Sequence, residues 1–205
     1  MRIVFILLSF SFLSVVASAQ LTSEEKTIKK VFFDFLQFYK KNSAKFNSFQ
    51  LFKGTGKEQG PPYRIQWKEA EKYFQFLRTK VSYVGEAYIK SERSDFKFYD
   101  SCYKADPEEE IVVGFDFDRW AGGQDDIDYL IKWHTNPQNI YEVKISGNTA
   151  VLRIGAELWG EAEEKDRSWD YVPFVKEKGK WKMAGNISPE FEEEGDETPF
   201  SQPAN

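Results

Sequence analysis

The hydrophobic period changes once along this chain, and that change constrains the fold more than any other feature. Up to about residue 103, apolar side chains recur mostly at three- and four-residue spacing. From Tyr141 onward they alternate with polar ones. The first pattern lays one stripe along an α-helix, and the second paints one face of a β-strand. A chain that is helical first and strand-forming last is an α+β protein. Its N-terminal helices pack on a curved antiparallel sheet.

The helical half divides in three. Thr22-Ser23-Glu24-Glu25 has the T-x-x-E form of a capping box. Behind it Ile28, Val31, Phe32, Phe35, Leu36, Phe38 and Tyr39 form one stripe, which predicts a helix over 23–42. The segment 42–62 carries Gly54, Gly56, Gly60 and Pro61-Pro62 and reads as a loop. A second helix is expected over 66–79, with Trp67, Ala70, Tyr73, Phe74 and Leu77 inward. A third starts near Ser82 as N-cap and carries Val84, Ala87 and Tyr88; Phe96, Tyr99 and Tyr103 continue it after a break. Cys102 is the single cysteine, so no internal disulfide and no cysteine-based zinc site can form. Among aromatic neighbours it reads as a small buried hydrophobe.

In the strand half, Tyr141, Val143 and Ile145 alternate with Glu142 and Lys144. After a Ser146-Gly147-Asn148 turn, Ala150, Leu152 and Ile154 resume the pattern. A second strand pair is expected over 169–176 and 180–187, turning at Lys178-Gly179. Between the halves lie an acidic run and a turn-rich loop, Phe115-Asp116-Phe117-Asp118-Arg119-Trp120-Ala121-Gly122-Gly123-Gln124-Asp125-Asp126.

The two ends stand apart. Met1-Arg2, an apolar run over 3–16 and Ala17-Ser18-Ala19 have the layout of a secretory signal peptide over 1–19, too short for a membrane span. The mature chain is then exported, periplasmic or secreted, and not stably inserted in a membrane. The stretch 190–205 holds six acids and no base and reads as a solvated tail. Residues 20–189 form one domain with 27 bases and 27 acids, so the formal charge of −5 does not describe its body. A neutral body argues against nucleic acid as a partner. Residues 106–128 nevertheless carry nine acids and one arginine, which predicts pairing with the basic segments on either side.

The order of these features resembles a known family. The aromatic helix and two further helices precede Phe115-Asp116-Phe117-Asp118 and Gly123-Gln124-Asp125. The hairpin Ser146-Gly147-Asn148-Thr149-Ala150-Val151 follows, and then the stretch 172–183 with Gly179-Lys180-Trp181-Lys182. Over about 24–188 the chain resembles the bacterial envelope proteins of domain-of-unknown-function family 3828. More broadly it is similar to the nuclear-transport-factor-2-like, or cystatin-like, superfamily. The resemblance implies a cone-like fold with a pocket, and it implies no activity.

Candidate chemistry concentrates in 106–134. Enzymes of that superfamily often place an aspartate and a histidine inside the cone for acid–base work. The resemblance therefore nominates Asp116, Asp118 and His134, the single histidine. Trp120, Gln124, Asp125 and Trp133 are the candidates for holding a ligand. The five aspartates between 116 and 128 lack the spacing of a calcium loop, so they are expected to bond turn backbone and cap the element near Ile127. No metal and no cofactor is implied. Asn186-Ile187-Ser188 is a chance glycosylation sequon. The function expected is a non-catalytic exported binding module for a small molecule or an envelope protein. The alternatives are a small acid–base hydrolase or isomerase and an immunity or inhibitor protein of the envelope.

Overall fold

A computed structural model describes residues 21–158, 160 and 163–189. The leader over 1–19 and the acidic tail over 190–205 lie outside the described residues. The architecture is α+β, with helices early in the chain and an antiparallel sheet late. Helix α1 is Ser23–Phe46, α2 Trp67–Lys80, α3 Glu86–Ala105 and α4 Ile127–His134. Strands β1 (Phe52–Gly54) and β2 (Tyr63–Ile65) form a small hairpin within the segment expected to be a loop. Strands β3 (Ile140–Ser146), β4 (Thr149–Gly155), β5 (Trp169–Glu177) and β6 (Lys180–Met183) pair in sequence order. The short β7 (Ser188–Pro189) pairs with the start of β5. Among the described residues no helix is long and apolar enough to cross a membrane.

Helix α1 begins as its sequence dictates. The Thr22 hydroxyl accepts from Glu25 N–H, and the Glu25 carboxylate accepts from Thr22 N–H at 2.6 Å. The helix runs one turn past residue 42 because Phe46 belongs to its buried stripe with Phe32, Phe35, Leu36 and Tyr39. Each fully buried phenylalanine contributes roughly 2 kcal/mol of hydrophobic stabilisation.

Helix α3 differs from expectation at both points predicted for it. It starts at Glu86 rather than near Ser82, because Val84 bridges to Met183 and Gly85 N–H donates to Met183 O in extended backbone. Its first turn is capped from across the molecule by Glu177, whose Oε1 accepts from Ala87 N–H at 3.4 Å. A Cβ on Gly85 would lie 2.3 Å from that oxygen, so only glycine admits the carboxylate. Nor is there a break before Phe96. The polar stretch Ser91-Glu92-Arg93-Ser94-Asp95 stays helical, with Glu92 buried by an internal partner and Arg93 bridged to Glu71 on α2.

The strand register places Tyr141, Val143 and Ile145 opposite Ile154, Leu152 and Ala150. The last three lie opposite Asp170, Val172 and Phe174. These residues share one sheet face, and α1 packs over it, with Phe33 edge-on to Tyr141 at 5.6 Å. One contiguous cluster joins the helices to the sheet. The inner face is therefore filled by side chains, and open grooves lie at the margins. Cys102 is half-buried rather than buried.

Candidate functional site

Asp118 organises the loop before α4. Its backbone exchanges hydrogen bonds with Gly123, and its Oδ1 accepts from Trp120 N–H at 3.0 Å and Ala121 N–H at 2.8 Å. Its Oδ2 accepts from the Tyr39 hydroxyl at 2.6 Å. Burial, with the Asp118 bond second, pushes the Tyr39 phenol well above its ordinary range, so it stays a neutral donor. With three donors on it, this carboxylate is committed to holding the loop. Asp126 caps α4 through Asp128 N–H at 2.8 Å, and Lys40 on α1 bridges to Asp128 at 2.7 Å. That bridge joins the acidic segment to a basic one. Most of its other acids face solvent or bond nearby backbone.

The residues after Asp118 enter the core. Arg119 and Glu92 are 3% and 1% exposed and form an ion pair, Nη2 to Oε1 at 2.8 Å. Asn186 Nδ2 donates to the same oxygen at 2.5 Å, and the Tyr73 hydroxyl donates to Oε2 at 2.9 Å. Trp120 Nε1 donates to Tyr73 at 2.7 Å, and Tyr88 donates to Asn186. The guanidinium carbon lies 4.7 Å from the Phe96 ring centroid and 5.0 Å from that of Phe115. Burial works against the arginine charge, but Glu92 outweighs it and holds the group above its ordinary range. Burial first, and the Glu92 charge second, raise the Tyr73, Tyr88 and Asp95 values. Arg119 Nε has no hydrogen-bond partner among the described residues.

His134 closes α4 and is 1% exposed. Its Nε2 lies 2.7 Å from Ala121 O, and since a carbonyl only accepts, Nε2 carries the ring proton. The bare Nδ1 faces Asp170 Oδ2 at 3.6 Å, too long for a hydrogen bond. Burial dominates both groups. It lowers the histidine value and raises the aspartate to about 6.

The sequence candidates therefore separate. Asp118 and His134 lie on the N–H and C=O sides of Ala121. Asp116, Gln124 and Asp125 are exposed, and Gln124 reaches only Asp116 O at 3.5 Å. Trp133 stacks half-buried on the exposed Tyr129, ring centroids 6.4 Å apart. Asp118 and Trp120 alone of these residues line an open groove of about 960 Å³ between the 46–54 segment and the 115–120 loop. Its walls include Phe52 and Phe115, with rings 5.0 Å apart, and Phe117, 39% exposed. Four primary amides, Asn47, Gln50, Gln59 and Gln66, also line it, and among the described residues their side chains make no hydrogen bond. Sequence reasoning missed these amides, Glu92, Arg119 and Asp170. The only signal for the amides was their density beside aromatics in 47–66.

A second groove of about 710 Å³ lies between the start of α1 and the β5–β6 turn. There Glu24 accepts from Lys176 Nζ at 2.5 Å and Trp181 Nε1 at 2.8 Å. Among the described residues, no group of three or more His, Cys, Asp or Glu side chains is placed to hold a metal ion. No family model, no curated protein and no solved structure matches the chain.

Proposed function

We propose that the chain is an exported, non-catalytic binding module of the cystatin-like class, with its ligand seated in the groove beside Phe117. The observation that carries this reading is a division among polar groups. Of the three candidates for proton transfer, Asp118 is held by three donors, His134 is sealed between Ala121 and Asp170, and Asp116 is exposed but does not line the groove. A general acid or base must come within hydrogen-bond reach of its substrate, and a ring 1% exposed with Nε2 on a carbonyl does not. The groove, in contrast, offers aromatic surface together with unengaged amides, the composition of a binding site. Export to the periplasm or medium rests on the apolar run over 3–16 and the Ala17-Ser18-Ala19 ending.

The test immobilises the chain from residue 20 and exposes it to native envelope extract. Bound small molecules and proteins are then identified. A ligand retained by the wild type and reduced about tenfold on Phe117→Ala supports the groove, a factor equal to about 1.4 kcal/mol. Turnover of a hydrolase or isomerase substrate, abolished by His134→Ala in a folded variant, overturns the non-catalytic reading.

A further inference from the structure

We infer that the ligand of this groove is an uncharged, hydroxyl-rich chain, a neutral oligosaccharide. The inference rests on the binding reading above and adds the chemical class of the ligand.

Three properties of the groove point the same way. The first is the hydrogen-bonding type of its free polar groups. A primary amide carries one acceptor oxygen and two donor hydrogens. A hydroxyl also donates and accepts, so neighbouring hydroxyls on a sugar ring match an amide in both directions. Asn47, Gln50 and Gln59 are exposed and Gln66 is half-buried, and the side-chain amide of each makes no hydrogen bond among the described residues. An aliphatic ligand covering them would strip their water and return nothing.

The second property is charge. The charged groups lining the groove are largely engaged within the protein. Asp118 holds three donors, Arg119 is paired with Glu92, and Glu69 is bridged to Lys72 at 2.6 Å. Lys53 remains, exposed on β1 and without an ion-pair partner among the described residues. A polyanion would find one cation, and a polycation would find no uncommitted carboxylate.

The third property is apolar surface in flat pieces. Phe52 and Phe115 sit at a 35° tilt, and Phe117 is 39% exposed with no ring stacked on it among the described residues. The carbon-bound hydrogens of a sugar ring form an apolar face that lies on such a ring, leaving its hydroxyls to the amides around it. The wall itself is fixed by close backbone packing. A Cβ on Gly54 would fall 1.7 Å from Gln59 O, so the glycine lets the β1 end and residue 59 meet. At about 960 Å³ the groove takes several sugar rings rather than one.

The experiment titrates the chain from residue 20 with four neutral tetrasaccharides, cellotetraose, maltotetraose, mannotetraose and N-acetylchitotetraose, by calorimetry. Tetragalacturonate and the glucosamine tetramer serve as anionic and cationic counterparts. At least one neutral tetrasaccharide is expected to bind, about tenfold more weakly to Phe117→Ala and to Gln50→Ala, and the charged counterparts at least tenfold more weakly to the wild type. Both substituted positions are exposed, and a thermal melt confirms that each variant is folded. A charged tetramer that binds as tightly, with the same dependence on Phe117, overturns the neutral-sugar inference and leaves the groove reading intact. So does the absence of tetrasaccharide binding when the envelope ligand is still lost on Phe117→Ala. Neutral binding that neither substitution weakens overturns the groove reading itself.

Discussion

Asp170 sits where burial makes its charge unfavourable. Its folded-state value of about 6 lies above the ordinary 3.8, so the folded protein holds this proton more tightly than the unfolded chain does. The contribution to stability is complete below the ordinary value and is lost as pH rises through about 6; above that the penalty is on the order of 3 kcal/mol. His134 acts in the opposite sense. Its value is lowered by burial, so the stability due to the neutral ring is present above pH 6.5 and is lost as pH falls below it. Asp170→Asn removes the first effect alone. The variant is expected to exceed the wild type by about 1–3 kcal/mol at pH 7 and to match it near pH 4, read from denaturant curves. Equal stability at pH 7 would refute the account. Glu92 gives the complementary case, a charge that is matched. Glu92→Gln leaves the buried Arg119 charge without its partner, with an expected loss of about 3–5 kcal/mol. Glu92→Met combined with Arg119→Met removes both charges, and it should recover most of that loss in the same measurement. Neither pair was legible in the sequence. Glu92 lies in a polar stretch that looks like a helix break, and its partner is 27 residues away. His134 draws the eye as a lone histidine, but the carboxylate facing it comes from β5 and not from the nearby acidic loop.

At the scale of elements, much more could be read directly. The aromatic stripe, the capping box at Thr22 and the hairpin turns at Gly147 and Gly179 follow from local spacing and turn chemistry, whereas the pairing of β4 with β5 across the 156–168 connection does not. What local patterns could not supply was any boundary fixed from elsewhere in the chain. The β1–β2 strands have three residues each, too few for a period to show. Helix α3 starts where it does because β6 holds Val84 and Gly85 extended, and because Glu177 reaches the first turn in place of a local cap. Glu177→Ala is therefore expected to lower global stability by about 1 kcal/mol, the size of an N-cap loss. Glu177→Gln keeps an acceptor but not the charge and should fall between the two. Hydrogen exchange of the amides of residues 86–88 would rise in the alanine variant. Unchanged exchange there would mean that the cross-molecule cap contributes nothing.

At the scale of the whole molecule, the distribution of charge makes a claim about binding. The 27 bases and 27 acids of residues 20–189 cancel, and the excess acids lie in residues 190–197. The groove repeats this balance locally, since its carboxylates and its arginine are already engaged. Attraction between free charges is screened over about 8 Å at physiological ionic strength, so any affinity based on it weakens steeply as salt is added. Stacking and hydrogen bonding to uncharged groups do not depend on salt in this way. Affinity for the groove ligand should therefore change less than about twofold between about 20 mM and about 500 mM sodium chloride. The groove draws its walls from α1, the β1–β2 hairpin and the 115–120 loop, so a ligand there bridges segments that separate on unfolding. Occupancy at a hundredfold excess over Kd should raise global stability by about 2.7 kcal/mol, and this gain should persist at high salt. A gain that vanished at about 500 mM would assign the affinity to the acidic tail or to Lys53, and the neutral groove would no longer account for it.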